Sequence, residues 1–563
     1  MSPEIQASLD QIVRGAEAWE FETETLEFKE EARTAKETME MLAKAAICFA
    51  NSRGGTIVLG VADKLAGSAA ITGTQLDPLL VKLRIYESSS PPLLVDATET
   101  LYEGTRLLMV AVPSGVVVHA DSQGRVKHRV GRVCLPMTAE MQAIRREERA
   151  GVDWSAGTRE GSVSDIDSRA LDAARERLRQ ADDELRRLAD RPDLELLRGL
   201  GVVDGDDRLL RAGEVLFRPR GDAHPWVVYQ HRLTPGGEAT AVERLSGTLL
   251  AALDRLVELV WARRHTTPIT LPDGAQIEVA DFPLEAVREA VVNALLHREL
   301  RIDRPVSVEH SPSAFVVESP GRLVSGITEQ NILTHPSKPR NPCLFQAARR
   351  LRLAEDTGRG IDRIYRELIR SGRDAPVISQ TETMTRVAFL GGAPRTQVVR
   401  FVNQLAAAER EDVDTLLVIS TLLSARTVTE AELASIIQKH ESEAGSVLAR
   451  LAADDPGILE PTLESRTRRK PTYRLRGPVL SALGSAVSYH RQSIEEVDRK
   501  VIAHMKDYGR INNRSLQHLF DIDVHRAAAL LRDLRNRGLL VKTSVQQRGP
   551  AVEYGRGPEF PAG

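Results

Sequence analysis

A chain of 563 residues exceeds what a single hydrophobic core serves, and ordinary domain sizes predict about three to five units. Its hydrophobic fraction of 42% and charged fraction of 28% are those of a globular protein. No apolar run approaches the ~20 residues of a membrane span, and MSPEIQASLD lacks an export-signal pattern. A cytoplasmic protein with no membrane partner is therefore expected. The net charge of −3 excludes nothing about nucleic acid, because acidic and basic units cancel and only local charge is informative. Cys48, Cys134 and Cys343 lie far apart, without CxxC spacing or nearby histidines. That argues against zinc and against a disulfide framework, and for reduced core thiols.

After an N-terminal tail (1–18), residues 19–150 alternate short β-rich runs with one clear helix. TLEFKE reads as a strand, AKETMEMLAKAAICFANSRGG as a helix with a glycine exit, and TIVLGVAD as a buried strand. RLLMVAVP and the stretch around HRVGRVCLP supply further strands. On the first strand Leu26 and Phe28 point to the core, while Glu27 and Lys29 share the other face. Glu22 can curl back beside Glu27, and Asp63 closes TIVLGVAD. If the two strands are neighbours, Glu22, Glu27 and Asp63 converge at one rim. Three carboxylates there call for Mg²⁺ or Mn²⁺, which would activate water against a phosphodiester, with Lys29 beside the developing charge.

The motifs ETETLEFKEE, AAICFANSRGGTIVLGVAD and HRVGRVCLPMT, in that order, resemble the Schlafen AlbA-type domain over about a quarter of the chain. In eukaryotic Schlafens with RNase activity, acidic residues at matching places form a metal site. The resemblance thus implies Glu22, Glu27 and Asp63 as ligands, with Glu24 competing for the first role. Many bacterial relatives are instead called DNA-binding regulators, and the nucleases carry this domain in duplicate, whereas one copy is visible here.

Residues 151–200, rich in charge (SRALDAARERLRQADDELRRLAD), read as a solvated helical linker. A second mixed region, 201–395, contains GEVLFRP, read as an apolar strand, and the helix FPLEAVREAVVNALLHRELR. On that helix Glu289, Asn293 and His297 recur at i, i+4 and i+8 on one face, with Val287, Val291 and Leu295 on another as core. Asn293 suits Mg²⁺ bound to a triphosphate, and Glu289 suits a base that orients water. FVVESPGRL, RNPCLFQAARRL and EDTGRGIDRIYREL follow in order. In the last, Gly358 and Gly360 let backbone N–H groups approach phosphate at a helix start.

This set resembles the ATP-binding domain of RecG-related regulators, a divergent branch of the GHKL fold, over about 200 residues. The resemblance implies ATP with Mg²⁺. It places the N-box helix at REAVVNALLHRE, the adenine-side turn at ESPG with Gly321, and the phosphate lid at TGRGID with Thr357, Gly358 and Gly360. The usual DxGxG box is replaced here by Glu318-Ser319-Pro320-Gly321. No Walker A motif is present, so a helicase motor is not supported.

Beyond 395 two segments, 396–480 and 481–563, share one rhythm of three helices and a hairpin, and read as tandem winged helices. In the second, Ala528, Leu531 and Leu534 are expected inward, and Arg526, Arg532 and Arg535 are candidates for nucleic-acid contact. In the first, RTRRK forms a wing tip with Arg466, Arg468 and Arg469 placed for phosphates. RecG-related regulators similarly end in winged helices.

The fold class expected is thus α+β multidomain: an AlbA-like α/β domain, a GHKL-type α/β sandwich and tandem winged helices. The leading functional expectation is an ATP-binding effector acting on DNA or RNA, its AlbA-type domain a metal-dependent nuclease, with weak ATPase activity. A role in phage defence follows by analogy with Schlafens, and a homodimer by analogy with GHKL domains. The alternatives are a non-catalytic transcriptional regulator and a signalling scaffold whose winged helices bind protein.

Overall fold

The computed structural model describes residues 2–158, 163–181, 183–354, 358–381, 383–462, 464–487, 498, 500–506, 508–520, 524–544 and 552–561. The chain is a mixed α+β protein of several units. Among the described residues no helix is long and apolar enough to cross a membrane.

The N-terminal unit is built on a βαβ element. Thr34 opens the helix Ala35–Ala50 through a reciprocal capping box with Glu37. The flanking strands Leu26–Lys29 and Gly55–Leu59 pair in parallel, as a helical crossover allows. Leu42, Ala46, Phe49 and Ala50 form the buried stripe of that helix. The chain leaves through Gly54 and Gly55, both at positive φ. A Cβ on Gly55 would lie 2.4 Å from Thr25 O and 2.7 Å from the Phe49 ring, so only glycine permits this exit. Thr105–Val112 and the edge strand Asp96–Tyr102 complete a four-stranded sheet. A hairpin, Lys127–Val130 and Val133–Pro136, is tied to the helix end. Asn51 Nδ2 donates to the carbonyls of His119 and Lys127 at 2.7 and 2.9 Å, and Arg129 N donates to Ser52 Oγ at 2.7 Å.

That junction corrects the reading of the cysteines: Cys48 on the helix and Cys134 on the hairpin form a disulfide. Their separation of 86 residues leaves no spacing signal, and they meet only through tertiary packing. Cys343 is free and half-buried, its thiol pushed up to about 11 by burial beside Asp153.

The charged stretch before residue 200 is not a solvated linker. It forms the helices Ser168–Arg179, Asp183–Leu188 and Asp193–Leu200. Ala170, Leu171, Ala174, Leu178, Leu196, Leu197 and Leu200 enter the core shared with the next region, while the charges occupy the outer faces. GEVLFRP is likewise corrected from strand to helix, Arg211–Phe217. Ala212, Val215 and Leu216 are buried at i, i+3 and i+4, a spacing that so short an apolar run cannot distinguish from a buried strand.

This region centres on a six-stranded sheet, in the order Ala239–Leu245, Val227–Arg232, Val306–Ser311, Ala314–Pro320, Met384–Leu390 and Val377–Gln380. Only Val227–Arg232 and Val306–Ser311 run parallel. The helices Leu249–Ala262 and Leu284–Leu296 share one core with Tyr229, Val308, Phe315, Val317 and Phe389 of the sheet.

Towards the C-terminus one layout occurs twice. Helices Val413–Leu422, Glu430–Ile437 and Glu441–Ala452 precede the hairpin Leu459–Pro461 and Tyr473–Leu475. Helical residues 500–506, Asn513–Phe520 and Val524–Asn536 then precede Leu540–Lys542 and Glu553–Arg556. Even the short third pairing recurs, Val428 with Tyr473 and Ile511 with Tyr554. The inward stripe of the last long helix is Ala527, Leu531 and Leu534, with Ala528 half-buried at its flank. The first copy shares a core with Tyr365 and Ile369 of Gly360–Arg370 and with Val398, Phe401 and Val402 of Thr396–Gln404. Packing therefore crosses the boundary expected at residue 395.

Candidate functional sites

The N-terminal carboxylates meet cations from the chain itself. Glu27 is buried beside the strand core, and its carboxylate receives Arg129 Nη1 at 2.7 Å and Lys29 Nζ at 2.8 Å. Arg129 is fully buried. Its Nε donates to Thr23 O at 2.8 Å, and its guanidinium lies 4.6 Å from the centre of the Phe49 ring. Glu22 curls back as the sequence suggests and accepts the Phe28 N–H at 3.2 Å, with Lys29 at 4.0 Å. Burial raises the Glu22 carboxyl above its ordinary value, opposed by Lys29 and the Phe28 N–H. Asp63 is half-exposed, and its backbone carbonyl accepts from Trp19 N at 3.0 Å.

Two of the three carboxylates expected at one rim are found side by side. Glu22 and Glu27 come together with Lys29, but among the described residues no three acidic, histidine or cysteine side chains are grouped to hold a metal ion. Arg129 and Lys29 each hold one Glu27 oxygen, so two carboxylates flanked by two cations make a poorer divalent-cation set than three free carboxylates would. The sequence contained Arg129 within HRVGRVCLP, yet nothing local said that it would turn inward across 102 residues to Glu27.

The second site is a pocket of about 170 Å³. The helix Leu284–Leu296 supplies Glu289 and Asn293, and His297 caps its end. Ser319 and Gly321 bound the pocket from the strand side, and Gly358 and Gly360 from the glycine loop. Phe345 of RNPCLFQAARRL lines it as well, so all four expected motifs reach one cavity. Thr357 lies outside the described residues.

The glycines have separate reasons. Gly321 has φ +99, and a Cβ there would stand 2.9 Å from Glu299 Cβ. A Cβ on Gly360 would stand 2.0 Å from Glu289 Oε1, so the loop lies directly on the acid of the site helix. Glu289 is also held by Asn293 Nδ2 and Arg363 Nη1, both at 3.2 Å. His297 is kept neutral, its pKa pushed down to about 4 by burial with Arg340 nearby.

The chemistry of this set suits a nucleotide with Mg²⁺. Asn293 gives its amide N–H to Glu289 and retains a carbonyl oxygen, a ligand type that Mg²⁺ accepts. Ser337 and Lys338 belong to the loop 322–338 that walls the pocket. The sequence did not single out that loop. It is fastened at Leu323 N to Gln380 Oε1 (3.1 Å) and at Leu333 N to Gln438 Oε1 (2.9 Å).

The basic residues of the C-terminal copies are partly placed. Arg466, Arg468 and Arg469 are exposed between the two strands of the first hairpin. Arg532 and Arg535 are exposed on the helix Val524–Asn536. Arg526 lies in that helix, with its side chain outside the described residues. The corresponding helix of the first copy, Glu441–Ala452, begins instead with acids, Glu441 and Glu443.

Comparison with known proteins agrees with this layout. Residues 22–138 match the family model "Schlafen, AlbA_2". Residues 303–389 match the model described as "Putative ATP-dependent DNA helicase recG C-terminal", which covers the strands and glycine loop of the pocket but not the helix Leu284–Leu296. The chain thus joins a Schlafen AlbA_2-type region to a recG C-terminal-type region. Among solved structures it is similar to the DIP2311 protein from Corynebacterium diphtheriae, with a TM-score of 0.52 and 24% identity over 86% of this chain and 99% of that one. At that identity the likeness speaks to fold alone. No curated protein matches the chain.

Proposed function

We propose that this protein is a nucleotide-responsive regulator that binds nucleic acid without cutting it. The AlbA-type domain and the C-terminal copies, read as tandem winged helices, are its contacts with DNA or RNA. The region 201–395, read as a divergent GHKL-type sandwich, is its ATP sensor. The observation that carries the choice of regulator over nuclease is the Glu27–Arg129 pair, with Lys29 on the second carboxylate oxygen. Two cations on one buried carboxylate offset the cost of burying its charge, a task that a metal would otherwise serve. Arg532 and Arg535, exposed on the last long helix, support nucleic-acid contact, whereas the acidic start of Glu441–Ala452 directs the first copy's contribution to its wing arginines.

For ATP, the support is the convergence of Glu289, Asn293, Gly321, Gly358 and Gly360 on one pocket. Asn293 would hold Mg²⁺, which would neutralise the phosphates. Backbone N–H groups at Gly358 and Gly360 would face phosphate at the start of Gly360–Arg370. Glu289, already engaged by Arg363, would position Asn293 rather than act as a base.

Two measurements test the proposal. Wild-type protein is expected to shift duplex or single-stranded probes with a log–log salt slope that flattens by about one for each arginine removed from Arg532 and Arg535. It is expected to leave both DNA and RNA uncut in Mn²⁺. Cleavage abolished by Glu27→Ala would reverse the choice in favour of the nuclease. Mg²⁺·ATP is expected to raise the melting temperature of wild type and not of Asn293→Ala.

A further inference from the structure

Two walls of the pocket also bear on the first C-terminal copy. Ile361, near the start of the helix Gly360–Arg370, and Ile378 of the strand Val377–Gln380 both line the pocket and pack against that copy's hydrophobic core. Ile361 packs against the core of the six-stranded region as well, so one side chain touches both cores and the cavity. Leu333, from the loop 322–338 that walls the pocket, joins the same packing against the copy.

The polar contacts converge on one turn. The helix Glu430–Ile437 ends at Gln438, left-handed at φ +57 and ψ +37, and the third helix of the copy, Glu441–Ala452, starts after Lys439 and His440. Gln438 closes its amide on the loop: Nε2 donates to Glu329 O at 2.8 Å, and Oε1 accepts Leu333 N at 2.9 Å. Lys439 is paired with Asp414 and faces the other wall. Burial raises the carboxyl of Asp362, in the first turn of Gly360–Arg370, above its ordinary value, and Lys439 is the strongest influence opposing that rise. Gln438 and Lys439 also line an open groove together with Arg469 and Lys470 of the wing and Gln330 of the loop.

Resting on the nucleotide reading of the pocket and the nucleic-acid reading of this copy, we infer that the turn Gln438–Lys439 carries pocket occupancy to the first C-terminal copy. A ligand seated between the loop 322–338 and the glycine loop fixes the separation of those two walls. Gln438 holds the turn to the first wall, while Lys439 and the shared Ile361 tie the copy to the second. The turn sets the angle between the copy's second and third helices, and the third is the one that a winged helix presents to a groove. Nucleotide shifts nucleic-acid affinity only by its own preference between two placements of the turn. The effect is therefore reciprocal: the factor that Mg²⁺·ATP imposes on nucleic-acid affinity is the factor that nucleic acid imposes on Mg²⁺·ATP.

Coupling is a free energy rather than a path, so the test reads it directly. The full chain is titrated with Mg²⁺·ATP by calorimetry, with and without a saturating mixed-sequence DNA duplex. It is titrated with the duplex by fluorescence anisotropy, with and without saturating Mg²⁺·ATP. Wild type is expected to show one factor in both arms, of about fivefold or more in either direction. Gln438→Gly removes both hydrogen bonds to the loop and keeps the left-handed turn without strain. It is expected to bind each ligand alone as wild type does and to bring the factor close to one. Should that variant fail to fold, Gln438→Glu, which loses the donor to Glu329 O, is expected to lower the factor. A wild-type factor near one with both ligands bound, or a full wild-type factor in the folded Gln438 variant, overturns the inference and leaves the nucleotide reading intact. Failure of the folded chain to bind Mg²⁺·ATP overturns both.

Discussion

Arg53 and Glu329 form an ion pair across 276 residues of chain, joining the N-terminal unit to the loop that walls the pocket. Arg53 also reaches Glu24 at 3.4 Å. Glu329 accepts Gln380 Nε2 at 3.1 Å through its carboxylate and Gln438 Nε2 at 2.8 Å through its backbone carbonyl. One residue is thus shared by the AlbA-type unit, the six-stranded sheet and the first C-terminal copy. Both charged side chains are 19% exposed, so solvent screens them little. A double-mutant cycle of Arg53→Ala and Glu329→Ala, read by denaturant unfolding, is expected to give a coupling of about 1–3 kcal/mol. A coupling near zero would show that the two units are not held together here.

Gly360→Ala tests the glycine loop. The new Cβ would displace Glu289 from Arg363 and Asn293, because it would stand 2.0 Å from Glu289 Oε1. The expected outcome is a loss of about 1–3 kcal/mol of stability together with loss of the ATP-induced thermal shift. A variant that retains the full shift would place the phosphates elsewhere.

Arg129→Met tests whether the buried ion pair is structural. It removes a fully buried guanidinium and leaves Glu27 with Lys29 alone. An uncompensated buried charge costs about 3–5 kcal/mol; with Lys29 still on Glu27 the loss is expected at or below the lower end, and chemical denaturation of the full chain should register it as earlier unfolding of the N-terminal unit. If Glu27→Gln in the same background restores much of the loss, the cost was an uncompensated charge rather than lost packing.

Acid should destabilise the pocket-bearing region through His310. This side chain is 1% exposed, packs against Phe282 and Phe315, and shares a 2.9 Å hydrogen bond with the Tyr229 hydroxyl. Burial, with His231, Arg263 and His265 nearby, lowers its pKa to about 4. Between about 6.5 and 4 the unfolded chain takes up a proton that the folded chain refuses. Stability is therefore full above the upper value and falls by about 1.4 kcal/mol per pH unit as the pH drops through that window. Thermal unfolding from pH 7 to 4 should show the decline, and His310→Gln should make it shallower.

The local elements were largely legible because their signals are local. The Thr34 cap, the stripe of Ala35–Ala50 and the Gly54–Gly55 exit all lie within a few residues of what they control. So does the i, i+4 spacing that brings Glu289 and Asn293 to the pocket. GEVLFRP failed because an apolar run of that length satisfies helix and strand alike. The stretch before residue 200 failed because its composition is dominated by charges, while the few apolar positions that decide burial sit at helical spacing beneath them. The N-terminal carboxylates show a different limit, because their buried partner Arg129 is distant in sequence. Arg129 arrives from a hairpin whose approach to Glu27 is set by the packing of Asn51 and Ser52 against it, and no spacing rule connects positions so distant. Glu318, in the turn that replaces the usual box, shows the limit from the other side, since strand pairing sets it against Arg386.

The Cys48–Cys134 bond closes a loop of 86 residues that contains most of the N-terminal unit, including three of the four strands of its sheet. On the chain-entropy view a crosslink of that span lowers the freedom of the unfolded chain by about 4–5 kcal/mol, comparable with the whole stability of a small domain. The hairpin would keep its hydrogen bonds to Asn51 and Ser52 when the sulfurs are reduced, so Arg129 would stay on Glu27. What reduction would change is the freedom of the opened chain, and so the share of time the unit spends open rather than the architecture it returns to.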